Sequence, residues 1–529
     1  MSWQPEVDGI EKRRALAQAL GGADAVARQH QLGRLTIRER VHALLDAGSF
    51  RELGAIAGHA ETDAAGALVS FTPANYVLGL GRVDGRPVVV GGEDFTQRGG
   101  SPTSAGLRKS VYAEDLALRH RLPLVRFLQG GGGSVAGTAG RGGAGAGGGG
   151  GDARAASVQP VHAPHRFVSI AKVMATAPVV SAGLGAVAGL PAARLVASHF
   201  SLMTRHTAQV MVAGPAVVER ALGESLSKEA LGGASVHERS GVVDNVVGDE
   251  AEAFRQIRAF LSYLPTNVWQ AAPRAGCDDP VDRTDEALVS LVPRNRRRVY
   301  DMRRLLHAVL DAESLFELGR GHGRSQITAL ARLAGQPVGV WANDPRFYAG
   351  AMSATGARKV RRFVDLCDTF HLPVVAFVDE PGFMVGSQAE RAATIRHGTE
   401  ALFAVVQSSV PWASVIVRKS YGVAAAGHFA PDAHVLCWPS AEGGALPLEG
   451  GIAVAFRREI EAAPDPEAKR RELEERFASR RSPFPRAEGF GVTDLIDPRD
   501  TRRLLCAWVE WIQPALAAHV GERSHTIRP

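Results

Sequence analysis

Apolar and polar positions along this chain follow two periods in turn. Short apolar runs such as Val88-Val89-Val90, Leu124-Val125-Arg126-Phe127-Leu128, Val374-Val375-Ala376-Phe377-Val378 and Ser414-Val415-Ile416-Val417 have the length and composition of buried strands. Between them, stretches with apolar residues three and four apart predict helices, among them Arg40 to Asp46 and Gln388 to Val406. Strands alternating with helices predict α/β layering. No apolar run reaches the roughly 20 residues a membrane helix needs, so no membrane association is expected. The opening Met1-Ser2-Trp3-Gln4-Pro5-Glu6 lacks the basic-then-apolar order of a secretory signal, and a cytoplasmic location is expected.

The pattern occurs twice. His42 to Gly54 is HALLDAGSFRELG and His307 to Gly319 is HAVLDAESLFELG, with nine of thirteen positions identical at an offset of 265. Further on, Leu80, Arg82, Gly85, Pro87, Val88 and Val90 match Leu330, Arg332, Gly335, Pro337, Val338 and Val340 at an offset of 250. The same offset pairs Arg108-Lys109 with Arg358-Lys359 and Leu122-Pro123 with Leu372-Pro373. Two copies of this length are duplicated domains rather than solenoid repeats. Loss of periodicity, with accumulating Pro, Gly and charge, predicts domains 1–270 and 294–529 joined by a linker at 271–293. A chain of 529 residues fits two domains on size alone. The Gly- and Ala-rich tract from Gly130 to Ala156 has too little side chain to build a core and predicts a flexible loop at a strand end.

Charge and cysteine content narrow the possibilities. The 61 basic residues face 55 acidic ones along the whole chain, too diffuse an excess for nucleic-acid binding. The basic run Arg294, Arg296, Arg297, Arg298, Arg303 and Arg304 is expected to form a solvated linker face. Cys277, Cys367, Cys437 and Cys506 form no C-x-x-C pair, so buried thiols are expected rather than a zinc ribbon or disulfides.

Two glycine-rich strand-to-helix turns are the candidate chemistry: Gln129-Gly130-Gly131-Gly132-Gly133 and Tyr421-Gly422-Val423-Ala424-Ala425-Ala426-Gly427. Small residues there let a carbonyl approach backbone N–H groups at a helix N-terminus, an oxyanion hole for an enolate. Glycine also serves such turns for conformational reasons alone. There is no recognisable Ser/His/Asp signature or carboxylate pair, and His397 and His428 are read as structural.

Ordered motifs add a resemblance. Gly33-Arg34-Leu35-Thr36-Ile37-Arg38-Glu39-Arg40, Glu93-Asp94-Phe95-Thr96 with Gly99-Gly100-Ser101, Asn343-Asp344-Pro345, Val378-Asp379-x-Pro381-Gly382-Phe383 and Arg418-Lys419-Ser420-Tyr421-Gly422 resemble the carboxyltransferase (β) subunits of biotin-dependent acyl-CoA carboxylases. The propionyl-CoA and methylcrotonoyl-CoA types are nearest. The resemblance implies two tandem crotonase-like domains, acyl-CoA held by the first and biotin by the second, usually across a subunit interface in a homohexamer. It implies that Gly131 and Gly132 bind the acyl thioester oxygen, and that Val423 and Ala424, following Gly422, bind the biotin ureido oxygen. Gly100 and Ala426 are implied at the acyl-CoA site, Ala426 standing where members that prefer short acyl groups often carry an acidic residue.

In the family, carboxybiotin releases CO₂ and the biotin anion takes the acyl α-proton (or its vinylogous γ equivalent), so neither a protein base nor a metal in this subunit is implied. The biotin is implied on a partner, a biotin carboxylase/biotin carboxyl carrier α subunit, because no lysine here is flanked by methionines. Three departures stand out: Val423 in place of the usual second Gly, the glycine tract in place of an Ala-Arg entry into a helix, and no N-terminal zinc ribbon. The alternatives are a decarboxylase carboxyltransferase subunit and a non-catalytic scaffold.

Overall fold

A computed structural model describes residues 2–131, 167–296, 298–478 and 482–524. Gly132 and the tract from Gly133 to Ala156, expected to be flexible, lie outside the described residues. Contacts divide the chain into two compact units, the first ending at Ser262 and the second starting at Tyr263. Among the described residues no helix is long and apolar enough to cross a membrane.

In the first unit, Arg51–Glu52, Tyr76–Val83, Arg86–Glu93, Leu124–Gly130, Val179–Ala188, Phe200–Thr204 and Asn245–Val247 lie side by side in chain order, and Gln209–Met211 pairs with the end of Val179–Ala188. The second unit repeats this with Phe316–Leu318, Gln326–Leu333, Gln336–Asn343, Val374–Glu380, Trp412–Tyr421, His434–Cys437 and Asp494–Leu495, while Glu442–Gly444 pairs with the end of Trp412–Tyr421. In both sheets the opening hairpins are antiparallel and the remaining pairs parallel. Strands such as Leu124–Gly130 and Val374–Glu380 are buried at every position, which explains why they are continuous apolar runs rather than alternating ones.

The duplication extends to single hydrogen bonds. Asp46 accepts from the backbone N–H groups of Asp84 and Gly85 at 3.0 and 2.8 Å, and Asp311 from those of Ala334 and Gly335 at 3.0 and 2.7 Å. Arg38 pairs with Glu52 and Arg303 with Glu317. The Lys109 ammonium donates to Gly54 O at 3.1 Å, and that of Lys359 to Gly319 O at 2.8 Å. The helices preceding these contacts start with side-chain caps: Thr36 and Glu39 form a reciprocal capping box, and Asp301 accepts from Arg303 N. Each satisfies amide donors that a helix start leaves open.

Several elements differ from the sequence pattern. Gln388 to Val406 is two helices, Ser387–Arg391 and Thr394–Gln407, because Ala393 adopts a left-handed conformation with φ 54° and Thr394 Oγ1 turns back to Ala389 O at 2.8 Å. Arg303 is not a solvated side chain; it lies between Glu317 and Asp344, where attraction outweighs desolvation and raises its pKa. Cys367, Cys437 and Cys506 are buried, whereas Cys277 is exposed. The stretch 271–293 packs on the second unit: Arg283 donates to Ala308 O at 2.9 Å, and Leu288 joins the core around Leu305, Phe377, Trp438 and Trp508.

Candidate active site

In the first unit, the strand Leu124–Gly130 ends against a tight turn at Arg98–Gly100, whose three residues all have left-handed φ values of 52°, 60° and 69°. Gly100 is required there, since a Cβ would lie 2.4 Å from Gln129 O. A Cβ on Gly130 would lie 2.7 Å from Gly100 O, so this approach admits no side chain on either partner. The Gly131 N–H donates to Gly99 O at 3.3 Å, at the long end of the hydrogen-bond range. Below the turn, Glu93 accepts from Gln129 N at 3.3 Å, and burial raises its pKa. The strand is anchored from below by Arg126, which is buried and donates to Arg194 O at 2.7 Å.

In the second unit, Trp412–Tyr421 runs into Gly422, left-handed at φ 63°, and then into the short helix Gly422–Ala426. First-turn amides of a helix have no intrahelical acceptor, so Val423 and Ala424 can direct theirs outward. Ala424 is buried, while Gly422, Val423 and Ala426 are exposed. The Val423 side chain is 59% exposed and stands in solvent.

Charges buried at the ends of these strands hold the second turn. The Asp379 carboxylate receives the Arg418 guanidinium at 3.0 Å and the Lys419 backbone N–H at 3.1 Å. The Lys419 ammonium donates to Ala349 O at 2.8 Å, and burial lowers its pKa. Glu380, fully buried, accepts from Gly382 N at 3.0 Å and Met352 N at 3.3 Å on Oε1, and from Asn343 Nδ2 at 2.9 Å on Oε2. Burial pushes its pKa up to about 8 against those three donors. His428 follows the short helix, stacks on Trp341 with ring centroids 3.7 Å apart, and places Nε2 3.6 Å from Glu380 Oε2. Its ring nitrogens have no hydrogen-bond partner among the described residues, and burial lowers its pKa to about 3.

Gly131 and Gly100 thus meet at one turn, and Gly422, Val423, Ala424 and Ala426 form the other. Sequence reasoning gave no role to Asp379, Glu380 or Arg418. The available signal was a pair of carboxylates ending an otherwise apolar strand. Among the described residues no group of three or more His, Cys, Asp or Glu side chains could hold a metal ion.

Two units of identical sheet order, each ending its central strands in turns of small residues, are two crotonase-like domains in tandem. The family model described as "Carboxyl transferase domain" matches residues 28–514. The carboxyltransferase subunit of propionyl-CoA carboxylase from Haloferax mediterranei is 33% identical over 513 residues, covering 96% of this chain and 96% of that one. Methylmalonyl-CoA decarboxylase subunit alpha from Veillonella parvula is 31% identical over 503 residues, covering 94% of each. A crystal structure of transcarboxylase 12S, a hexamer with methylmalonyl-coenzyme A and methylmalonic acid bound, superposes with a TM-score of 0.84 at 30% identity, covering 100% of this chain and 97% of that one. This chain belongs to the carboxyl transferase domain family, and it is a carboxyltransferase.

Proposed function

We propose that this chain moves a carboxyl group between biotin carried on a separate subunit and the α-carbon of an acyl-CoA, with carboxylation as the working direction. The observation that carries the reading is the pair of turns, one per unit, each at the end of a central parallel strand and each built from residues small enough for a carbonyl to reach backbone N–H groups.

In the first unit, the Gly131 and Gly132 amides receive the thioester oxygen and stabilise it as charge builds in the enolate. Gly131 leaves only a long hydrogen bond to Gly99 O to do so. In the second unit, the Val423 and Ala424 amides receive the biotin ureido oxygen. The surface around this turn fits a ring that must reach backbone: a Cβ on Gly422 would meet only Ala445 O, at 3.3 Å, and Val423 and Ala426 are exposed. Biotin, when bound, supplies the carboxyl group and then the base for the α-proton. Ala426 adds no charge and little bulk beside this turn, which suits acyl groups longer than acetyl.

The partner in this reading is a biotin carboxylase/biotin carboxyl carrier α subunit, and the chain assembles as a homohexamer, as the related transcarboxylase does. Similarity to a methylmalonyl-CoA decarboxylase subunit favours a second reading, the same transfer run in reverse. Incubating the purified chain with methylmalonyl-CoA and free biotin, without ATP, tests the transfer itself. Biotin-dependent release of propionyl-CoA is expected. Its absence with every carboxylated acyl-CoA of a short-chain panel overturns the reading. Reconstitution with the biotin-bearing partner encoded beside it then fixes the direction: ATP-dependent carboxylation supports the first reading, and ATP-independent decarboxylation the second.

A further inference from the structure

Strand register fixes which residues of the two units correspond. Leu124 pairs with Val179 in the first sheet and Val374 with Trp412 in the second, and both ladders carry an irregularity just before the last pair. Gly189 therefore corresponds to Gly422, Pro191 to Ala424 and Arg194 to Gly427. The alignment holds through the turn, because Gly189 and Gly422 have φ values of 65° and 63°. On the helix and strand before it, Ser110, Glu114 and Arg126 correspond to Val360, Val364 and Ala376.

At these four positions the units differ in kind. The second unit is apolar there, with Val360, Val364 and Ala376 fully buried and Gly427 adding no side chain. The first unit buries a charge cluster instead. Arg194 Nε lies 3.2 Å and Arg126 Nη1 3.4 Å from Glu114 Oε1, and Arg194 Nη1 donates to Ser110 Oγ at 2.6 Å. Arg194 Nη2 and Glu114 Oε2 have no hydrogen-bond partner among the described residues. Buried charges are often no more stabilising than apolar side chains of similar volume. The second unit shows that the fold does without them, so the cluster calls for a role other than folding.

One side of the cluster is open. Arg194 and Ser110 line a cavity of about 20 Å³ together with Tyr76, Glu93, Gly100 and Leu190. Gly100 belongs to the turn that the proposed function gives to acyl-CoA, and Leu190 opens the helix that carries Arg194. The volume takes a water-sized group and little more. Its walls are rich in donors: burial raises the Tyr76 pKa, which keeps the phenol protonated, and raises that of Glu93 toward the neutral acid. We propose that this cavity receives the end of the acyl group and that Arg194 binds an oxygen there, so that the preferred substrate is a short acyl-CoA bearing a hydroxyl or carboxylate rather than a plain alkyl chain. The inference rests on the function proposed above and names the substrate class of that site. A methyl group in the same place leaves a buried guanidinium N–H without an acceptor, whereas an oxygen completes it.

Calorimetric titration of the wild-type chain tests this with CoA thioesters matched in size: 3-hydroxypropionyl- against butyryl-CoA, and succinyl- against 4-methylpentanoyl-CoA. The oxygenated member of at least one pair is expected to bind about tenfold tighter or more, the scale of a hydrogen bond to a charged group. The pair that shows it tells hydroxyl from carboxylate. Arg194→Met is expected to cancel the advantage while the alkyl thioesters bind as before, a selective loss that a purely structural role of Arg194 does not produce. Arg194→Lys, which keeps a cation beside Glu114, serves if the first variant does not fold, and there the advantage is expected to shrink. Alkyl members that bind as tightly as their partners in both pairs overturn the inference, as does an advantage that survives substitution of Arg194. No binding by any of the four thioesters overturns the proposed function, and the inference with it.

Discussion

Asp379 and Arg418 form a buried ion pair at the base of the second turn, with Arg418 Nη2 3.0 Å from Asp379 Oδ2 and both side chains nearly excluded from solvent. The same carboxylate holds the Lys419 N–H, three residues before Gly422. Removing one partner of such a pair strands the other charge, which costs about 3–5 kcal/mol. Asp379→Ala is expected to lose that much stability in urea unfolding, and Asp379→Asn, which keeps an acceptor for Lys419 N, clearly less. Equal losses in the two variants would show that the hydrogen bond to Lys419 contributes nothing beyond the charge pair.

Ala424→Pro deletes one amide at a position where the first unit already accommodates proline, at Pro191. Loss of one oxyanion donor reduces turnover on the order of 100-fold or more. Biotin-dependent release of propionyl-CoA from methylmalonyl-CoA is expected to fall by that factor while circular dichroism and assembly state stay unchanged. A folded variant with activity within about twofold of wild type would show that the Ala424 amide is not a donor in the reaction.

The pH dependence of stability follows from Glu380. Its pKa is raised by burial to about 8 in the folded chain, whereas a carboxyl in the unfolded chain titrates near its ordinary 4.5. Between those values the folded state holds a proton that the unfolded state has released, so the stabilisation is full below about pH 4.5 and is lost as pH rises toward 8. The slope approaches one proton, about 1.4 kcal/mol per pH unit. Glu380→Gln has no such proton to lose, so the stability difference, wild type minus variant, should fall as pH rises from 5 to 8. A difference independent of pH would mean that Glu380 is ionised throughout. His428, whose pKa burial lowers to about 3, contributes in the opposite sense below about pH 6.5 and is common to both proteins.

Ala426→Asp puts a carboxylate beside the second turn. The specificity constants for propionyl- and butyryl-CoA should fall relative to acetyl-CoA, since each methylene buried in a pocket is worth roughly 0.8 kcal/mol, about fourfold. An unchanged rank order across acetyl-, propionyl-, butyryl- and methylcrotonoyl-CoA would remove Ala426 from the determinants of chain length.

The strands and the duplication were legible in the sequence because their signal is local: continuous apolar runs, and identities such as Asp46 with Asp311 that make the same backbone hydrogen bonds in each unit. The break at Ala393 left no such trace. Alanine is the strongest helix former, and the left-handed turn is accompanied by a hydrogen bond from Thr394 to Ala389 that spacing does not reveal. Arg303 looked solvated among other arginines because its partners Glu317 and Asp344 lie 14 and 41 residues away. Glu380 stood at the open position of the motif Val378-Asp379-x-Pro381-Gly382-Phe383 and was given no role, since its donors come from Asn343, Met352 and Gly382 and only the folded sheet gathers them. The glycine turns stood between these cases: their positions were plain, while the amide of Gly131 proved to be engaged by Gly99 O.

The repeated strand register has a consequence for biosynthesis. Two sheets with the same strand order and the same ladder irregularity are built into one polypeptide, so a strand from one half finds backbone partners of matching spacing in the other. At about 5–20 residues per second, the first half emerges tens of seconds before the second is complete, long enough for its sheet to close. Synthesis from the N-terminus therefore acts as a sorting step that refolding of the full-length chain from denaturant lacks. In dilute refolding both sets of strands compete at once, and exchanged sheets are the characteristic error for a chain of this kind.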